Sequence, residues 1–220
     1  MKFDKNLERA KSLLGQWSDK WIEYSQLKAL IYAIPPRVVE PITDEAAILQ
    51  SAGSAMADGD EESKLIRELS GSPQELEFFK KLQGDVQKVS AHYQTQEALL
   101  LATYRQTIAA VEAFCEKYVV VNRPDASHRD DARQREIIIL QTSIVRLFSA
   151  LIQLENYAHL NYEGIGKALK KHDKITGRKC KMRYMASVNT QSWAQFPILL
   201  QMIRSTEEAY KLLASFQQKM

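Results

Sequence analysis

The spacing of proline constrains this chain most: Pro73, Pro124 and Pro197 bound two stretches, 74–123 and 125–196, that contain no proline at all. Proline breaks helix interiors, so stretches free of it are where long helices can form. The first opens on Ser72-Pro73-Gln74-Glu75, a capping box with proline at the first helical position, which satisfies otherwise orphaned N–H groups. Leu76, Phe79, Leu82, Val86, Val89 and Tyr93 follow at spacings of three and four, and Leu100, Tyr104, Ile108, Val111, Phe114 and Tyr118 continue the apolar face. Unbroken, such a helix is roughly 70 Å long at about 1.5 Å per residue.

A second periodic segment carries Ile137, Ile138, Leu140, Ile144, Leu147, Phe148, Leu151 and Leu154, and a third runs through Ile198, Leu199, Met202, Ile203, Tyr210 and Leu213. The first 34 residues read as a helical hairpin turning at Gly15 to Asp19, with Trp17, Trp21, Leu27, Leu30, Ile31 and Ile34 available for burial. Nothing reads as a strand. The expected fold is all-α: an N-terminal hairpin, a bundle of two long antiparallel helices, and C-terminal helices. Within one domain the segments are 1–34, an acidic linker at 35–72, the long-helix bundle at 73–176 and a C-terminal segment at 177–220.

Composition narrows the class. Hydrophobic residues make up 45% and charged residues 26%, values that argue against disorder and disulfide-dense scaffolds. The most apolar stretch, 137–154, is interrupted by Gln141, Arg146 and Gln153, so no transmembrane segment is expected. The N-terminus mixes both charge signs without an apolar core and does not read as a signal peptide. Cys115 and Cys180 stand 65 positions apart, with neither a disulfide framework nor a thiolate metal spacing. A reducing compartment follows: the cytoplasm, the cytosolic face of a membrane or the nucleus.

The net charge of +3 conceals segregation. Residues 38–79 hold ten carboxylates against Lys64 and Arg67, a local charge of −8, and the part from Ser51 to Ser63 has almost nothing large to bury and reads as a linker. Residues 163–183 hold eight cations against Glu163 and Asp173, a local charge of +6. Within them Lys167, Lys170, Lys171 and Lys174 sit at i, i+3, i+4 and i+7, sharing an arc of roughly 100° on one helix face. Like charges so placed repel by a few tenths of a kcal/mol per pair. Either the strip is a solvated face complementing the helix C-terminus, with Gly177 as the cap, or it meets a polyanion.

The residue types limit the anion. Lysine is a compact point charge suited to phosphates arriving from several directions. Single-stranded nucleic acid would want interleaved aromatics, absent between Lys167 and Arg183, and duplex binders are usually far more basic, so no direct nucleic-acid contact is expected. A lysine about 4 Å from a phosphate gains roughly 4 kcal/mol before desolvation and ordering are subtracted, leaving about 1–2 kcal/mol. An anion that engages five or six such groups reaches the roughly −8 kcal/mol of micromolar binding, while orthophosphate, touching two or three, falls near millimolar. His92, His128, His159 and His172 have no metal-ligand spacing, and no phosphate-binding loop or nucleophile elbow occurs. No catalytic or metal residue is assigned. His172 reads as a supplementary phosphate donor or a bystander, and Glu61 and Glu62 as solvated linker charge.

Three stretches together resemble the SPX domain family. Met1-Lys2-Phe3 with Trp21-Ile22-Glu23-Tyr24-Ser25-Gln26-Leu27-Lys28 is similar to that family's N-terminal hairpin. Glu77-Phe78-Phe79-Lys80-Lys81-Leu82 with Lys88-Val89 and Tyr93 is similar to its E-F-F-x-x-L helix. Tyr157-Ala158-His159-Leu160-Asn161-Tyr162-Glu163-Gly164, continuing through Lys167-Ala168-Leu169-Lys170-Lys171-His172-Asp173-Lys174, matches its lysine-rich hallmark. The resemblance implies a non-catalytic sensor of phosphate status that binds inositol polyphosphates or pyrophosphates, inositol hexakisphosphate among them. It implies that Tyr24, Lys28 and Lys171 form a phosphate-binding cluster, surrounded by Lys167, Lys170 and Lys174, with Lys2 contributing. The implied partner is a phosphate-homeostasis protein or a covalently attached effector such as a transporter or polyphosphate polymerase domain. Trp21, Ile165 and Gly166 depart from the pattern, and Gly166 removes one basic residue beside the strip. The competing reading is a helical interaction module whose basic face docks an acidic partner, an anionic polymer or a membrane.

Overall fold

A computed structural model describes residues 2–35, 61–119 and 127–218. Among them eight α-helices and one 3₁₀ turn account for all regular structure: α1 Lys2–Leu13, the turn Gly15–Trp17, α2 Tyr24–Ala33, α3 Glu61–Leu69, α4 Pro73–Val119, α5 Ser127–Thr176, α6 Lys181–Val188, α7 Ser192–Gln195 and α8 Pro197–Gln218. The all-α expectation holds, and so do the two long helices. Ser72 Oγ accepts the Glu75 N–H at 3.1 Å, the first half of the expected capping box. The second half differs, because the Glu75 carboxylate takes the Gly71 N–H instead of that of Ser72. Gly177, at φ +70, ends α5 in the left-handed region and returns its N–H to Asp173 O at 3.0 Å.

The linker expected at 35–72 is interrupted by α3, which takes in Glu61, Glu62 and the end of the Ser51–Ser63 stretch. Two acidic residues in its first turn favour the start of a helix, and Ile66 and Leu69 are buried along it. Residues 36–60 of that linker lie outside the described residues.

Two compact units divide the chain. The first combines Met1–Lys88 with Asn161–Thr190. Its core gathers Phe3, Leu7, Trp17, Trp21, Ile22, Leu27 and Ile31 of the hairpin, Phe78, Phe79 and Leu82 of α4, and Ile165, Ala168 and Leu169 of α5. Phe3 meets Tyr24 edge-on at 5.1 Å, closing α1 onto α2.

The second unit combines Val89–Leu160 with Gln191–Met220. Here α4 and α5 run antiparallel: His92 meets Tyr157 at 5.1 Å, and Lys117 pairs with Glu136 at 2.8 Å. Val111, Phe114, Ile137, Leu140, Ile144, Ala209 and Leu213 form its core. Ile138, Ile198 and Tyr210, expected inside, are exposed. Each lies about 100° around its helix from a neighbour that took the buried place, as Ile138 does from Ile137. By length and composition the stretch 131–176 of α5 passes as a membrane span. Its buried residues recur at helical spacing, at Ile137, Leu140, Ile144, Leu147, Leu151 and Leu154, as a helix packed along one face requires.

Candidate functional site

The C-terminal part of α5 has two faces. Ala158, Asn161, Ile165, Ala168, Leu169, His172 and Thr176 are buried. Turned away from them, Lys167, Lys170, Lys171 and Lys174 line a groove of about 460 Å³ together with Ile175 and with Tyr24 and Tyr32 of α2. All four lysines of the strip therefore line one groove with the hairpin's two tyrosines. Among the described residues no carboxylate lies within ion-pair distance of Lys170, Lys171 or Lys174, whereas Lys167 pairs with Glu163 at 2.6 Å.

Two side chains hold α2 at the mouth of this groove. Asn161 Oδ1 accepts the buried Ile22 N–H at 2.9 Å, and Asp85 Oδ2 accepts the Glu23 N–H at 2.8 Å. The two residues before Tyr24 are thus clamped by groups from α5 and α4. Asp85 is 1% exposed, and Lys81 and Lys88 each reach its Oδ1 at 3.1 Å. The same lysines reach Glu23 at 3.0 and 3.4 Å. The Lys81 hydrogen bond holds the Glu23 carboxyl below its usual range, and burial works against Lys81's charge less than its two carboxylates support it. Burial, then the charge of Asp4, pushes the Tyr24 phenol up, and like any phenol at neutral pH it can donate a hydrogen bond.

Gly164 sets how closely the hairpin approaches α5. A Cβ there would overlap the Ile22 Cδ1 and come within 3.1 Å of Phe3 Cζ. Both neighbours are buried, so neither yields freely. Gly164→Ala is expected to destabilise the protein by about 1–3 kcal/mol despite alanine's better helix propensity. Urea denaturation reads this; a stabilised variant would contradict the packing. At Gly166 a Cβ would meet nothing within 4 Å, so the residue missing from the basic strip leaves open space and no packing demand.

The other expected residues are placed differently. Lys28 does not line the groove: its ammonium pairs with Asp4 at 2.6 Å and lies 5.5 Å from the centroid of the Tyr24 ring. The Lys2 side chain lies outside the described residues. His172 is not a phosphate donor at the surface, because it is fully buried, stacked on Phe78 at 5.0 Å, with Nε2 3.3 Å from Glu75. Two apolar rings on α4 outbid solvent for a flat imidazole on the buried face of α5. Glu75 also pairs with Arg178 at 3.1 Å, joining the start of α4 to the residue after the cap of α5.

His172, Asp173 and Cys180 bring potential metal ligands within 4.8 Å of one another. Both Asp173 oxygens already accept backbone N–H groups, from Cys180 at 2.9 Å and Lys181 at 3.0 Å, at the start of α6. Burial pushes the Cys180 thiol up, away from the thiolate a metal wants. The cluster serves the turn. Tyr32 was not singled out by the sequence, although Tyr24, Lys28 and Tyr32 follow one another at four-residue spacing. It is 65% exposed, and the Lys171 ammonium sits 4.3 Å from its ring centroid.

Fold and groove together give an all-α chain with a lysine-lined groove beside α2 of its N-terminal hairpin. The resemblance to the SPX domain family is borne out: residues 101–188 match the family model for the SPX domain. SPX domain-containing protein 2 of Arabidopsis thaliana is 25% identical over 94% of this chain and 64% of its own length. SPX domain-containing protein 3 of Oryza sativa subsp. indica is 26% identical over 94% of this chain and 62% of its own. The chain thus spans a little under two thirds of these relatives. The fold matches a solved SPX domain of Chaetomium thermophilum Glycerophosphodiester Phosphodiesterase 1, in complex with inositol hexakisphosphate, with TM-score 0.60 and 20% identity over 97% of this chain and 99% of that one.

Proposed function

We propose that this chain is a non-catalytic phosphate-status sensor that binds inositol polyphosphates or pyrophosphates in the groove between α2 and the C-terminal end of α5. The observation that carries it is the meeting of four lysines, three of them without a carboxylate partner among the described residues, with Tyr24 and Tyr32 around about 460 Å³. A groove of that size takes a phosphorylated ring. Rotatable ammoniums on one side and a phenol hydroxyl on the other suit phosphates pointing in several directions. The solved relative's inositol hexakisphosphate complex supports the same ligand chemistry. Ligand spanning α2 and α5 favours one arrangement of the hairpin, and that preference is what an attached domain or partner protein reads.

Calorimetric titration with inositol hexakisphosphate tests the reading. The expected result is a dissociation constant near micromolar at low salt, weakening steeply as ionic strength rises, with orthophosphate near millimolar. Absence of binding by hexakisphosphate, or equal affinity for orthophosphate, would refute it.

A further inference from the structure

Two of the six described candidate residues already carry a counter-ion. Lys28 Nζ lies 2.6 Å from Asp4 Oδ2, and Lys167 Nζ lies 2.6 Å from Glu163 Oε1. Neither carboxylate lines the groove, but Glu163 pairs with its Lys167 and the charge of Asp4 acts on its Tyr24. Asp4 follows Phe3, whose ring meets Tyr24 at 5.1 Å and the Lys167 ammonium at 4.2 Å. Glu163 lies one turn before Lys167 on the same helix face, at i and i+4. Of five described lysines expected to meet the anion, only Lys170, Lys171 and Lys174 present charge without a carboxylate partner among the described residues.

As stability devices these pairs contribute little. Their side chains keep between 26% and 41% of their exposure, and pairs that wet are worth about 0–1 kcal/mol. Toward an anion of many charges their effect is larger, since a fixed carboxylate at the site both occupies a lysine and repels the arriving phosphates. Building on the functional reading above, we propose that Asp4 and Glu163 act as built-in counter-ions of the polyphosphate site, holding Lys28 and Lys167 and thereby lowering its affinity for the ligand. The burden falls on ligands large enough to reach Lys28 and Lys167, while an anion confined to Lys170, Lys171 and Lys174 is spared most of it.

The charge effect and a purely structural role predict opposite signs. If Asp4 served to hold α1 against α2 or to aim Lys28, its loss would weaken binding. As a counter-ion, its loss strengthens binding. Asp4→Asn and Glu163→Gln keep size and hydrogen-bonding capacity while removing one charge each. Glu163→Gln acts within a single helix, where an i,i+4 pair is worth only a few tenths of a kcal/mol, so this variant stays folded even if Asp4→Asn loosens α1.

Titration of the wild type and both variants with inositol hexakisphosphate at several salt concentrations decides the matter. Each variant is expected to bind about 3- to 10-fold tighter, with a steeper salt dependence because one more lysine engages phosphate. Wild-type binding with unchanged or weakened affinity in Glu163→Gln would overturn the inference and leave the functional reading standing. Absence of wild-type binding would overturn both.

Discussion

Replacing Lys170, Lys171 and Lys174 together by alanine is expected to weaken inositol hexakisphosphate binding by at least about 100-fold while leaving the fold as stable as before or slightly more so. The two effects have separate causes. Three ammoniums that each contribute about 1–2 kcal/mol toward phosphate amount to a loss of roughly 3–6 kcal/mol when removed. Toward folding they contribute repulsion between like charges three and four residues apart, and alanine is the better helix former. Of the three, among the described residues, only Lys171 makes a ring contact, with Tyr32 at 4.3 Å. Calorimetry and thermal unfolding of the same preparation read both signs. A variant that binds normally would place the ligand elsewhere, and one that unfolds would make the lysines part of the scaffold.

The second large effect concerns the support of the site. Asp85→Ala is expected to destabilise the protein by about 3–5 kcal/mol, because it leaves Lys81 and Lys88 without a buried partner and orphans the Glu23 N–H. It also frees the residue before Tyr24, so the ligand affinity of the folded fraction falls with it. Chemical denaturation measures the first and titration under folding conditions the second. A loss below about 1 kcal/mol would mean that Glu23 alone satisfies the two lysines.

What was legible in the sequence follows from what a helix shows of itself. Prolines, the Ser72 cap and Gly177 marked the long helices, and the spacing of four lysines marked one face of α5. All of these are local signals. Which face meets which neighbour is not local, and there the sequence was mute or misleading. Asp85 carried no signal and Glu75 was read only as part of the cap, yet they are 1% and 4% exposed because lysines, backbone N–H groups and Arg178 gather on them. His172 shares its turn with three site lysines but falls about 100° from Lys171, onto Phe78 and Phe79.

Tyr32 illustrates the converse. An exposed tyrosine on a helix carries no signal of its own, and it became part of the site only once α2 lay beside the lysine strip. Asn161 was visible as part of a motif, but its work, accepting the Ile22 N–H across a sequence separation of 139, is a long-range contact. Lys28 was expected in the groove and is instead turned to Asp4, an ion pair that depends on how α1 closes on α2.

The proposed polyphosphate site is the groove bounded by α2 and the last turns of α5. Heteronuclear NMR titration of the whole chain with inositol hexakisphosphate tests it most directly. The largest shifts are expected on Tyr24 to Tyr32 and on Lys167 to Ile175, including the ring resonances of Tyr24 and Tyr32. Shifts centred instead on α8, around Arg204 or Lys211, with these residues unmoved, would contradict it.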